Sequence, residues 1–275
     1  MKRAMAIFSI AALLASYSRL SAEGARGSAA NFDASRAASE PLEALMLARN
    51  SVETMFQRSE NVVCMESVTQ SIVGKNDHSI YREESKYEYQ MQSSIVNGTL
   101  KLQEARDSSK VSFRDPARTL LITSGFAAML LIVHPNYESS YQFEAAGEEA
   151  AENGTIVKLQ YSAVPGATSP AALRLRGKNY ALPLSGTMWI DKATGAVVRL
   201  TASVDSSLTD LGLKGMTSDI HYALVQFHDP DESYWMPVSA TIDVETPKQH
   251  WRNIHRFTAY RRFTGKITVE PASKQ

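Results

Sequence analysis

From residue 61 onward, hydrophobic and polar residues mostly follow the period of two that a half-buried β-strand requires. It is clearest in Val197 to Val204, where Val198, Leu200, Ala202 and Val204 alternate with Val197, Arg199, Thr201 and Ser203. Gly186 to Asp191 precedes it, and Asp191 to Gly195 supplies a turn: Asp hydrogen-bonds the backbone at a turn entrance, and Gly takes a left-handed conformation. Further strands are expected over Val62–Val73, Ile80–Met91, Lys110–Arg114, Thr119–Thr123, Tyr141–Ala145 and Thr155–Tyr161. Others are expected over Thr217–Phe227 (apolar on both faces), Val238–Glu245 and Asn253–Phe263. Turn clusters such as Gly74–Asp77, Asn97–Gly98 and His228–Ser233 separate them, and Val164 to Pro183 reads as a long loop or flap.

Two segments carry helical signals. Ser39-Glu40-Pro41 has the chemistry of a helix start, and Leu42, Leu45, Val52 and Phe56, flanked by Ala48 and Met55, form one apolar stripe. That predicts an amphipathic helix over 40–58, laid on a sheet. Ser124 to Val133 is the most apolar run after the N-terminus; ten residues are too few to cross a bilayer, so it is a buried helix closed by Pro135 or a lid over an apolar cavity. The fold class is therefore mainly β with some α: one curved antiparallel sheet of about ten strands, an N-terminal amphipathic helix and a short apolar helix.

The N-terminus has a different pattern. Lys2 and Arg3 precede a short apolar run, Ala4 to Ala15, followed by small residues up to Ala22. This is the layout of a secretory signal peptide, with cleavage after Ala22. The expected organisation is a signal peptide over 1–22, a disordered lead-in over 23–38, one β-rich domain over 39–266 and a tail over 267–275. Export to the periplasm or beyond follows, with no transmembrane span in the mature chain.

Charge and cysteine content narrow the function classes. The 275-residue chain holds 29 basic and 29 acidic residues, and removing Lys2, Arg3 and Arg19 leaves it slightly acidic, which argues against a nucleic-acid partner. Cys64 is the sole cysteine, so no internal disulfide supports the exported domain, and Val62, Val63 and Met65 around it indicate a buried apolar role. His250 and His255, and His221 and His228, are spaced so that strand neighbours point to opposite faces; no metal ligand set and no cofactor are expected. Nucleophile elbows and phosphate-binding glycine loops are absent, so no catalytic residues are assigned. A secreted hydrolase of unrecognised type is the weakest reading.

Trp189-Ile190-Asp191, Thr194-Gly195 and Arg199-Leu200, with Tyr234-Trp235-Met236-Pro237 entering a later strand, resemble the periplasmic lipoprotein-carrier half-barrels of LolA and LolB. The resemblance implies a curved antiparallel half-barrel whose helices close over an apolar cavity, binding an acyl chain or another protein without catalysis. Phe126, Met129, Leu130, Val133 and Trp189 are then the candidate ligand-binding residues. Lys248 to Arg262 is the densest polar and aromatic stretch; His250, Trp251, Arg252 and Arg256 are candidate contacts for an envelope protein partner, the alternative being an edge strand guarded by basic residues.

Overall fold

A computed structural model describes residues 7–8, 31–59, 61–96, 99–107, 125–152, 154–175, 178–204, 208–209, 212–228 and 231–262. After a helix, α1 (Asn31–Arg58), come the strands β2 (Asn61–Val73), β3 (Ser79–Val96), β4 (Thr99–Asp107), β5 (Tyr141–Ala151), β6 (Gly154–Ala163), β9 (Ser185–Asp191), β10 (Val197–Val204), β11 (Gly215–His228), β12 (Asp231–Glu245) and β13 (His250–Arg262). These ten strands form one antiparallel sheet in the order β4-β3-β2-β13-β12-β11-β10-β9-β6-β5. It is curved and does not close. From β9 to β13 it is a simple meander. The hairpins flanking it are non-local: β2 pairs with β13 near the other end of the chain, and β6 pairs with β9.

The expected helix 40–58 lies within the longer α1, and its buried stripe is Ala44, Leu45, Ala48, Val52, Met55 and Phe56. Leu42, placed in that stripe from the sequence, is instead 59% exposed, as is Met46 at 57%. Ser93 on β3 donates its hydroxyl to the Phe56 carbonyl at 2.7 Å, and Ser59 donates to the Met55 carbonyl at 2.6 Å, satisfying carbonyls that a helix end leaves open. Among the described residues, no helix is long and apolar enough to cross a membrane.

Several expectations change. The expected strands Lys110–Arg114 and Thr119–Thr123 lie outside the described residues. β4 was not foreseen, because only Leu100 and Leu102 mark its inward face before Glu104 and Arg106 take over. Val164–Pro183 contains two short strands, β7 (Ala172–Leu175) and β8 (Lys178–Ala181), which form a small separate sheet with β1 (Ile7–Phe8). β11 has one wet face: Thr217 and His221 point outward, Ile220 and Tyr222 inward, and Leu224 is 57% exposed. In β10 a bulge between Val197 and Arg199 turns Val197 into the core in place of Val198.

Ala128–Val133 forms a 3₁₀ helix in which every residue is buried, and His134 turns to extended backbone before Pro135. Gly125 enters it with φ of 91°, and the Met129 N–H closes back onto the Gly125 carbonyl at 3.1 Å. This segment, α1 and the β7–β8 region, through Leu173 and Leu182, pack into one core with the sheet's apolar face.

The Asp191–Gly195 turn explains how α1 is seated. Asp191 Oδ1 accepts hydrogen bonds from the Thr194 N–H at 2.8 Å and the Ala193 N–H at 3.1 Å, and the Gly195 N–H bonds the Asp191 carbonyl at 2.8 Å. Gly195 has φ of 70°, and a Cβ there would stand 2.5 Å from the carbonyl oxygen of Leu47 on α1. The glycine serves the turn and the close approach of the helix together. Gly195→Ala is expected to cost about 1–3 kcal/mol from backbone strain, with a further loss as α1 is pushed off the turn. Chemical denaturation checks the stability, and faster amide exchange along α1 than along β12 checks the displacement.

Candidate functional site

Two features stand out on the covered side of the sheet: a buried ionic cluster and a groove beside α1. The cluster begins with Glu66 on β2, fully buried. Arg106 on β4 grips its carboxylate in a fork, Nη2 to Oε1 at 2.6 Å and Nε to Oε2, and His255 Nδ1 on β13 lies 2.8 Å from Oε1. The guanidinium also sits 5.5 Å from the ring centroids of Tyr87 and Tyr89. Glu104, two residues before Arg106 and on the same strand face, accepts the Tyr89 hydroxyl and the Ala128 backbone N–H, the latter at 2.9 Å. The Tyr222 hydroxyl donates to the Phe126 carbonyl at 2.8 Å. The Phe126 ring lies 4.7 Å from His255 and 5.3 Å from Phe257. The 126–133 segment is thus bound to the sheet by apolar packing and by two hydrogen bonds from opposite sides.

The electrostatics follow from burial and pairing. Burial pushes the Glu66 carboxyl up, but Arg106 and His255 outweigh it and hold it below the ordinary carboxylate value. Burial lowers His255 despite the neighbouring Glu66, so it is a neutral imidazole whose Nδ1–H donates to the carboxylate. Glu104 is raised by burial, against the hydrogen bonds from Tyr89 and Ala128. Burial pushes the Cys64 thiol up to about 12, as expected of an inert apolar filler. Among the described residues, the cluster joins β2, β4 and β13 and holds the 126–133 segment.

The groove runs along the other flank of α1. Leu47, Ser51, Val52, Thr54, Met55 and Arg58 line it from the helix, Leu130 forms its floor, and Thr194, Val197, Tyr234 and Trp235 form its far wall. Its volume is about 370 Å³. By contrast, the space among Val62, Cys64, Tyr89, Met91, Ala127, Met236 and Tyr260 is about 10 Å³. Phe126, Met129, Leu130 and Val133 are at most 6% exposed. They belong to the hydrophobic core, and Leu130 also lines the groove.

Trp189 is on the opposite side from the one considered for it. Met188 and Ile190 point into the core, so Trp189 faces outward, where the Arg199 guanidinium lies 4.5 Å from its ring centroid. Asp219 holds that guanidinium in a fork at 2.9 and 2.7 Å. The Lys248–Arg262 stretch is likewise not a free basic surface. It is largely β13, a central strand rather than an edge. Arg252 pairs with Asp243 at 2.9 Å and Asp77 at 3.0 Å, His250 pairs with Asp243 at 2.6 Å, and Trp251 turns inward against the core. Of the four residues, Arg256 alone is exposed. Sequence reading missed Glu66, Glu104, Arg106 and Arg58; the signal for the first three was charge at inward positions of strands, legible only once β4 and the sheet order are known.

These features define an open antiparallel half-barrel with a helix across its inner face. No family model matches the chain, and no curated protein matches it in sequence. Among solved structures it is similar to a DUF1329 family protein from Desulfovibrio piger, with TM-score 0.44, 12% identity and coverage of 83% of this chain and 95% of that one. It is also similar to a domain assigned to outer membrane lipoprotein sorting from Vibrio parahaemolyticus, with TM-score 0.42, 11% identity and coverage of 81% and 93%. A LolA superfamily protein from Nitrosomonas europaea follows, with TM-score 0.38, 11% identity and coverage of 84% and 94%. The LolA superfamily protein is of the type that the hairpin resembles.

Two outcomes test the cluster. Glu66→Gln leaves Arg106 buried without its counter-charge and is expected to cost about 3–5 kcal/mol in urea unfolding; a Glu66→Met, Arg106→Met double variant should recover most of that. His255, depressed in the folded state, contributes stability that is complete above its ordinary value of 6.5 and falls as pH drops below it. The slope reaches at most about 1.4 kcal/mol per pH unit. Glu104, raised in the fold, acts with opposite sign above its ordinary value of 4.5, so the measurement compares wild type with His255→Gln, whose urea midpoint should fall less steeply between pH 6.5 and 5.

Proposed function

We propose that this is an exported, non-catalytic binding protein that takes a hydrophobic ligand, a lipid or lipoprotein acyl chain, in the groove beside α1. The observation that carries the reading is the groove's composition: apolar Leu47, Val52, Met55, Leu130, Val197 and Trp235, with Asn50, Ser51, Thr54, Arg58, Thr194, Ser233 and Tyr234 as the polar lining. Apolar walls with a few polar groups at the mouth are the usual make-up of a small-ligand site, and 370 Å³ lies within the roughly 300–1,000 Å³ such sites span. The charged N-terminus and apolar run of residues 1–22 support export.

The sequence placed the ligand between the sheet and Phe126–Val133; the burial of those residues and the groove beside α1 favour the helix flank. Native mass spectrometry of protein purified from its exporting host, followed by solvent extraction, is expected to reveal a co-purifying lipid. Ser51→Trp, which fills the groove from the helix side, should reduce uptake of a fluorescent acyl probe by about tenfold or more with little change in melting temperature. Undiminished uptake by this variant would remove the groove from the reading.

A further inference from the structure

We infer that the groove selects a single-chain amphiphile with a carboxylate head, a long-chain fatty carboxylate, and that Arg58 is the residue that reads the head. The inference rests on the groove reading and adds its specificity. Three observations carry it.

First, size. At about 370 Å³ the groove is near the lower bound for small-ligand sites. It suits one chain and has no room for the several chains of a diacyl lipid or a fully acylated lipoprotein anchor.

Second, direction. The helix residues along the groove, Leu47, Ser51, Thr54, Met55 and Arg58, follow one another at helical spacing, so they form a single stripe ending at the last turn of α1. Leu47 stands at one end of that stripe and the charge of Arg58 at the other. A chain laid along it has its head at Arg58.

Third, charge. Among the described residues Arg58 makes no ion pair, whereas the neighbouring charges are already matched. Glu232 is held below the ordinary carboxylate value by the Tyr234 hydroxyl, by Arg262 and, through space and with no hydrogen bond, by Arg58. Arg262 bonds both the Glu232 carboxylate and the Tyr234 oxygen. Arg49 on α1 pairs with Glu138 at 3.3 Å. Arg58 is thus a guanidinium at the groove mouth with its fork of donors free, and a carboxylate is the head group that fork accepts in two parallel hydrogen bonds.

The test is isothermal titration of delipidated protein with three 14-carbon probes below their micellar concentrations: tetradecanoate, tetradecanol and tetradecyltrimethylammonium. Wild type is expected to bind tetradecanoate at least tenfold more tightly than the alcohol and to bind the cation least. Arg58→Gln should bring the carboxylate to the affinity of the alcohol, leave the alcohol unchanged and keep the wild-type melting temperature. Equal affinities for acid and alcohol in wild type, or an acid preference that survives Arg58→Gln, would overturn the inference while leaving the groove as an acyl site. Failure of all three probes to bind would overturn the groove reading itself, and the inference with it.

Discussion

One layer of ten strands has two faces, and alternation makes only one of them apolar. That face has to be covered, and α1, the 126–133 segment and the β7–β8 region, through Leu173 and Leu182, pack into one core with it. The whole architecture depends on this cover. Each buried Leu, Ile, Phe or Met contributes about 1.5–3 kcal/mol when withdrawn from water, and the segment supplies six such large or branched side chains from Phe126 and Met129 to Val133. Its polar backbone has to be satisfied as it goes in. Hence the Glu104 carboxylate meets the Ala128 N–H, and the Tyr222 hydroxyl meets the Phe126 carbonyl.

The same requirement accounts for the ionic cluster. Arg106 and Glu104 sit at inward positions of β4, the last strand at one edge of the sheet. A charge there is tolerable only if it is paired and hydrogen-bonded, since desolvation of a lone ion costs several kcal/mol. Glu66 and His255 pair it from two other strands. Sliding β4 by one residue would turn Arg106 away from Glu66 and Glu104 away from Ala128, so the cluster fixes the register of an edge strand that has few large apolar side chains to fix it.

Buried side chains of the 126–133 segment occupy the space under the cover. The space among Val62, Cys64, Tyr89 and Met236 is about 10 Å³, whereas a groove is open on the flank where α1 meets the Asp191–Gly195 turn and β12. There the helix rests on a glycine, with Leu47 against Gly195, and presents a stripe that ends in Arg58. The turn thus does more than reverse the chain: it sets the height of the helix above the sheet, and with it the depth of the groove.

Local pattern was enough to determine the fold class, the β9–β10 turn, the buried role of Cys64 and most of the α1 stripe, because each depends on periodicity or on the conformational range of one residue. The order β4-β3-β2-β13 was not legible, since β2 and β13 are nearly two hundred positions apart and nothing in either strand encodes its neighbour. β4 itself was hidden because charged residues occupy inward positions, which only their partners make acceptable. Trp189 and Arg252 looked available in the sequence; cross-strand neighbours Arg199 and Asp243 engage them in the fold. Arg58 looked like an ordinary helix-terminal cation, and it became a candidate head-group reader only when the chain brought it to the mouth of an apolar groove. Periodicity is a property of neighbours along the chain, whereas pairing, burial and free space belong to neighbours in space, and those were decided by the tertiary structure.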